Sequence, residues 1–147
     1  MNNFGLLLKN IREYEAAIKC FEKIIHIDGH FSKAYNNIGT IALELGDIKT
    51  AIANYEKVIE LNPDNFIPYK NLLAVYENSN QVENYKKILK LSKKKFPSEE
   101  VLELYTGILL FRKKKFQDSI KRLNKVNFEK ENEIEIKRNF FLARSYD

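Results

Sequence analysis

The chain has 147 residues, enough for one domain with a real core, and a globular composition of 44% apolar and 31% charged residues with three prolines. It has no run of about 18 apolar residues, which argues against a membrane-spanning helix, and the apolar patch in MNNFGLLLKNIRE is too short for a secretory leader. The single cysteine, Cys20, excludes an internal disulfide framework and fits a reducing compartment, with the cytoplasm as the expectation.

Shifted by 34, the sequence matches itself. Gly5, Gly39 and Gly107 share one column, with Leu73 as its exception. Tyr14, Ile48, Val82 and Phe116 form a second, and Ala17, Ala51, Tyr85 and Ser119 a third. Phe21, Tyr55, Leu89 and Leu123 form a fourth, and Gly29, Pro63 and Pro97 fall in the connector. Apolar residues recur at spacings of three and four inside each unit, so each unit is expected to be two amphipathic helices.

Taken in chain order, the first repeat covers about residues 1–31 and opens inside a helix. The second, SKAYNNIGTIALELGDIKTAIANYEKVIELNPDN (32–65), is the clearest. Gly39 and Ala51 are small where its two helices are expected to cross closely. Gly46-Asp47 ends the first helix, and Asn62-Pro63-Asp64-Asn65 stops the second. The third repeat (66–99) has the large Leu73 and Tyr85 at both close-crossing columns. Ser98, followed by Glu99 and Glu100, is expected to be an N-cap with acidic residues in the first turn. The fourth (100–135) closes with a connector, FEKENE, about two residues longer than the others. A partial fifth (136–147) carries Phe140, Phe141, Leu142 and Tyr146 near its end.

The second unit resembles a tetratricopeptide repeat at Tyr35, Ile38, Gly39, Ala51, Tyr55 and Pro63, and the resemblance runs over the whole chain. Glu103 and Thr106 depart from it, standing where the family has a large aromatic and a leucine. The resemblance implies an all-α, right-handed α-solenoid of antiparallel helix pairs, about four units plus the first helix of a fifth, as a single array over residues 1–147.

No reactive constellation is visible. Cys20 sits beside Phe21 on a helix and reads as a half-buried structural thiol. His26 and His30 flank Asp28 and Gly29 in a turn without a third strong ligand, so no metal and no cofactor are expected. Phosphate-binding glycine loops and hydrolase motifs are absent from the sequence, and the chain is read as non-catalytic. Net charge is +5 but uneven: residues 1–65 carry 7 basic and 9 acidic side chains, residues 66–147 carry 18 and 11. The excess lies in KKILKLSKKK (86–95) and RKKK (112–115). With lysine outnumbering arginine 20 to 5, these segments read as solvated faces of an AT-rich, bacterial sequence, and nucleic acid is not the expected partner.

The column holding Asn37 also holds Asn3 and Asn71, with Tyr105 in the fourth repeat. In the tetratricopeptide fold this column faces the concave groove. It is similar to the asparagine ladder of O-linked N-acetylglucosamine transferases, where resemblance implies amides bonding an extended peptide backbone. A carboxamide supplies both donor and acceptor, which matches a peptide unit whatever its side chain. The expected groove comprises Asn3, Asn36, Asn37, Thr40, Glu44, Lys70, Asn71, Asn78, Tyr105 and Arg112. The family's clamp for acidic chaperone tails needs cations that are missing here: the five matching places hold Asn2, Leu6, Asn37, Ile67 and Asn71. The expected function is a scaffold that binds a protein or an extended peptide. The alternatives are a substrate-recruiting arm of a larger bacterial enzyme, a glycosyltransferase or sulfotransferase, and self-association through the C-terminal helix.

Overall fold

A computed structural model describes residues 1–126 and 133–146, and among them every regular element is a helix. These are α1 (Asn2–Asn10), α2 (Tyr14–Ile27), α3 (Ser32–Glu44), α4 (Ile48–Leu61), α5 (Phe66–Asn78), α6 (Val82–Lys95), α7 (Val101–Arg112), α8 (Phe116–Leu123) and α9 (Glu133–Tyr146). They fall into two compact units, Met1–Gln81 and Val82–Asp147. The expected long connector FEKENE lies outside the described residues except for Glu133, which begins α9.

In the N-terminal unit α1 packs on α2, α2 on α3, α3 on α4 and α4 on α5. Small residues let the partners approach. Ala17, Ala34 and Ala51 are fully buried, and Phe21 fills the space among Ala17, Ala34, Ile38 and Ile41. The glycine column meets a different partner from the one expected. A β-carbon on Gly39 would lie 2.9 Å from the Tyr55 ring, one on Gly5 2.8 Å from Phe21, and one on Gly107 2.6 Å from Leu123. It is the large residue of the second helix, laid against the first helix's backbone, that requires glycine there, and not Ala51. Where the column holds Leu73, that side chain is fully buried. Tyr85 is buried within the C-terminal unit, where its hydroxyl donates to the Tyr105 carbonyl at 2.6 Å.

One device closes four first helices. Arg12, Gly46, Asn80 and Lys114 stand 34 residues apart, and all take positive φ, between 56° and 79°. Each stretch makes the paired bonds of a Schellman turn. In the second repeat Asp47 N–H bonds Ala42 O at 2.8 Å and Gly46 N–H bonds Leu43 O at 3.0 Å. Glu13 with Leu8, Gln81 with Tyr76 and Lys115 with Leu110 repeat the longer bond at 2.9, 2.9 and 3.0 Å. The next helix then starts at once, and Asp47 caps α4 through Thr50 N–H at 3.1 Å. The connector also behaves as expected at 62–65. α4 stops at Leu61, and the Asn65 Oδ1 caps α5 by accepting from Ile67 N–H at 3.0 Å.

Ser98 is not the cap of α7. A further turn closed by Glu99 N–H on Phe96 O (3.2 Å) delays the helix to Val101, and Glu100 occupies the N-cap without a side-chain bond. In the C-terminal unit α7 packs on α6, α8 and α9, and the Ser119 hydroxyl donates to the Gly107 carbonyl at 2.9 Å where α7 and α8 cross.

Candidate functional site

In the N-terminal unit a cavity of about 320 Å³ is lined by Asn2 and Leu6 of α1, by Ser32, Lys33, Asn36 and Asn37 of α3, and by Val58, Asn65 and Ile67. The helices place these groups as a consequence of the repeat. Gly5 and Gly39 sit against the large residues of α2 and α4, so the neighbouring positions of α1 and α3 turn the other way. Asn2, Leu6, Asn37 and Ile67, four of the five places compared with the chaperone-tail clamp in the sequence, line this cavity. Its walls are therefore neutral amide and apolar, with Lys33 as the lining cation.

The three asparagines of the column differ in setting. Asn3 is exposed, Asn71 is half-buried and Asn37 is only 9% exposed. The amides are linked across helices. Asn71 Nδ2 donates to Asn36 Oδ1 at 3.2 Å, and Lys9 Nζ donates to Asn37 Oδ1 at 3.5 Å. Each carboxamide has two N–H donors and an oxygen with two lone pairs, so these single bonds leave capacity unused. Asn2 goes further: its Oδ1 is buried and has no hydrogen-bond partner in the protein. Such groups are uncommon in native folds, because burying an acceptor without a donor is costly.

The remaining predicted residues divide between the two units. Thr40 bonds back to Asn36 O at 3.0 Å and lies 3.4 Å from the Tyr55 hydroxyl. Burial pushes the Tyr55 phenol up, against a lowering hydrogen bond with Thr40. Glu44 is exposed and accepts a hydrogen bond from the Tyr14 hydroxyl, which raises the Tyr14 pKa. Lys70 is half-buried and Asn78 exposed. Tyr105 and Arg112 belong to the C-terminal unit. Tyr105 is 6% exposed with its ring edge-on to Tyr85 at 6.3 Å, and Arg112 is exposed. Sequence reasoning passed over Ser32, Lys33 and Asn65. Their signal was their place at helix starts, where the first turns of α3 and α5 approach one cavity.

The basic segments are partly spent on ion pairs. Lys86 pairs with Glu83, and Lys93 pairs with Glu103 at 2.9 Å, whereas Lys87, Lys90, Lys94 and Lys113–Lys115 are exposed. Among the described residues no three His, Cys, Asp or Glu side chains are grouped as for a metal, and no helix is long and apolar enough to cross a membrane. In α9 the expected exposed end is divided. Phe140 is 53% exposed, but Phe141 turns in against Phe111 with ring centroids 5.3 Å apart, and the Tyr146 side chain lies outside the described ones.

Helix pairs repeating every 34 residues define a helical-repeat fold. Residues 1–30 and 32–65 each match the family profile of the tetratricopeptide repeat, and the chain is a tetratricopeptide-repeat protein of the α-solenoid class. It is similar to the UDP-N-acetylglucosamine--peptide N-acetylglucosaminyltransferase of Giardia intestinalis, at 30% identity over 82 residues, 52% of this chain and 6% of the transferase. It also resembles the Hsp70-Hsp90 organizing protein of Triticum aestivum, at 34% identity over 64 residues, 44% of this chain and 11% of that protein. The fold matches the crystal structure of the APC/C hetero-tetramer Cut9-Hcn1 with a TM-score of 0.80 at 20% identity, covering 97% of this chain and 28% of that one. The chain thus spans a small fraction of the curated relatives it matches. Repeats of this family mark protein-interaction scaffolds in general.

Proposed function

We propose that the N-terminal unit binds an extended peptide along its amide column, and that the chain acts as a non-catalytic scaffold, in the cytoplasm on the strength of its single cysteine. The observation that carries this reading is the cavity lined by the amide residues Asn2, Asn36 and Asn37. The unused amide hydrogens of Asn37 and Asn71 suit peptide carbonyls. At about 0.5–1.5 kcal/mol net per hydrogen bond, three rungs with some apolar contact correspond to micromolar, sequence-tolerant binding.

The test is the triple substitution Asn3→Ala, Asn37→Ala and Asn71→Ala, compared with the parent in a pull-down and in helicity by circular dichroism. Loss of the captured partner with unchanged helicity supports the assignment. Unchanged capture makes the column an inherited surface feature.

The similarity to the transferase favours a second reading, in which the chain recruits substrate for a catalytic domain on the same polypeptide. The coding sequence beyond Asp147 tests it: a catalytic domain in frame supports it, and an immediate stop codon rejects it. Self-association through α9 is the weaker reading, since Phe141 is occupied by Phe111, which among the described side chains leaves mainly Phe140 and Ile136 to present.

A further inference from the structure

The cavity of the N-terminal unit has two kinds of wall. Asn2, Asn36 and Asn37 line it with amides, whereas Leu6 of α1, Val58 of α4 and Ile67 of α5 line it with aliphatic groups. Among the aliphatic residues Ile67 is the open one. It is 53% exposed, although Val58 is only 1% exposed and Val101, the copy of Ile67 one repeat later, 8%. Asn65 fixes where this side chain leaves its helix, because the Asn65 Oδ1 accepts from the Ile67 N–H at 3.0 Å. An aliphatic group held open to water gains when another apolar group covers it. Carboxamides alone have no use for such a wall, since they match the peptide unit whatever its side chain.

The charge of the cavity is equally one-sided. Lys33 is exposed at its wall, and among the described residues no carboxylate lines the cavity or pairs with Lys33. We propose that the cavity is a specificity pocket, which takes one large apolar side chain of the bound segment while Lys33 holds a carboxylate two residues from it. This rests on the reading that the amide column binds an extended peptide. The column supplies the sequence-tolerant hold, and the pocket supplies the preference.

Volume and spacing fit that occupant. An apolar cavity of about 150 Å³ is enough for a benzene ring. The cavity here, at about 320 Å³, has room for a leucine or phenylalanine side chain and the backbone that carries it. Residues of an extended peptide rise about 3.3 Å each and alternate in direction, so side chains two apart share a face at roughly 7 Å. That separation is within the sweep of a lysine's four-carbon stem. A carboxylate next to the anchor residue points away from the pocket instead.

The test follows fluorescence anisotropy of the full chain with short labelled peptides. The parent peptide has the core Glu-Ser-Leu-Ser-Glu within serine and threonine flanks. Three others replace leucine by alanine, replace both glutamates by glutamine, or exchange positions to give Ser-Glu-Leu-Glu-Ser. The parent is expected to bind with a Kd of about 10–500 µM. Alanine should weaken it about tenfold, and glutamine or the exchange about two- to fivefold. In about 0.5 M salt the preference for glutamate should fade and that for leucine remain. Ile67→Ser should bring the leucine and alanine peptides within about twofold of each other. Lys33→Glu should reverse the order of the glutamate and glutamine peptides. Leu45→Ser, exposed outside the cavity, should change neither preference, and circular dichroism verifies that the variants fold.

Saturable binding with equal affinity for the leucine and alanine peptides overturns the proposal and leaves the amide column standing. A leucine preference that survives Ile67→Ser also overturns it, as does a glutamate preference that survives Lys33→Glu. The triple Asn3→Ala, Asn37→Ala and Asn71→Ala variant reads the column by itself, and should weaken the leucine and alanine peptides alike. No binding of any peptide up to about 1 mM overturns the pocket and the column together.

Discussion

Arg12, Asn80 and Lys114 hold a backbone conformation that ordinarily favours glycine, and only Gly46 in their column is one. Left-handed φ costs a residue with a β-carbon on the order of 1 kcal/mol, and asparagine less. The paired Schellman bonds offset that cost, so the turn persists without its usual residue. Lys114→Gly is accordingly expected to raise the free energy of unfolding by about 0.5–1 kcal/mol, with a smaller gain for Asn80→Gly, read as a shift in urea midpoint. Gly39→Ala should do the opposite. The β-carbon meets the buried Tyr55 ring at 2.9 Å, and overpacking of about 1–3 kcal/mol exceeds the roughly 1 kcal/mol gained in helix propensity. A melting temperature at or above that of the parent would contradict this. Both residues show where sequence reading works. Gly46-Asp47 announced its turn through glycine, whereas Arg12 and Lys114 could not, because backbone bonds and not side-chain identity select their conformation. Gly39 announced a close approach, but the approaching group was visible only in the fold.

Helix α7 shows what replaces the family's apolar contact. Tyr35 and Tyr69 reach back to the carbonyls of Gly29 and Pro63 at 3.3 and 3.0 Å, and in their column α7 carries Glu103. Its carboxylate accepts from Lys93 and Arg122, both at 2.9 Å, and Lys93 also reaches Thr106 at 3.2 Å. The two departures from the family, Glu103 and Thr106, therefore belong to one polar cluster that ties α7 to α6 and α8. Partial burial pushes the Glu103 carboxyl up, but the Lys93 and Arg122 hydrogen bonds outweigh it and hold the pKa below the usual carboxylate range. A depressed carboxyl pKa contributes stability that is present above the unfolded value and lost as pH falls through the folded one. Glu103→Gln should thus lower the melting temperature at pH 7 by a few degrees, roughly, for an ion pair that is partly screened. The difference from the parent should shrink below about pH 4. A difference independent of pH would assign the effect to packing. The sequence showed that α7 was irregular, but Glu103's partners lie 10 and 19 residues away, beyond any local pattern. The expected N-cap failed for a related reason: the turn at Phe96–Glu99 depends on a backbone bond that no residue type announces.

At the scale of the molecule, the amide cavity is lined wholly by residues of the compact unit Met1–Gln81. A fragment ending at Gln81 contains the core around Phe21 and Tyr55. It is expected to melt cooperatively and to keep any binding that depends on Asn37, which calorimetry and the same pull-down would check. The fold was legible over this length because the glycine column (Gly5, Gly39) and the aromatic column (Phe21, Tyr55) repeat at full strength in residues 1–65. The site was legible as a column of asparagines and its neighbours, whereas the contributions of Lys33, Val58 and Ile67 arise from separate helices meeting. Charge divides along the same boundary: residues 1–81 carry 8 basic and 10 acidic side chains, and residues 82–147 carry 17 and 10. Neutral amides bind without displacing counterions, while lysine-rich surfaces release them and lose affinity as salt rises. Ionic strength thus becomes an assay variable that sorts this protein's ligands by address. A partner retained in 0.5 M salt is assigned to the amides, and one eluted well below it to the lysines.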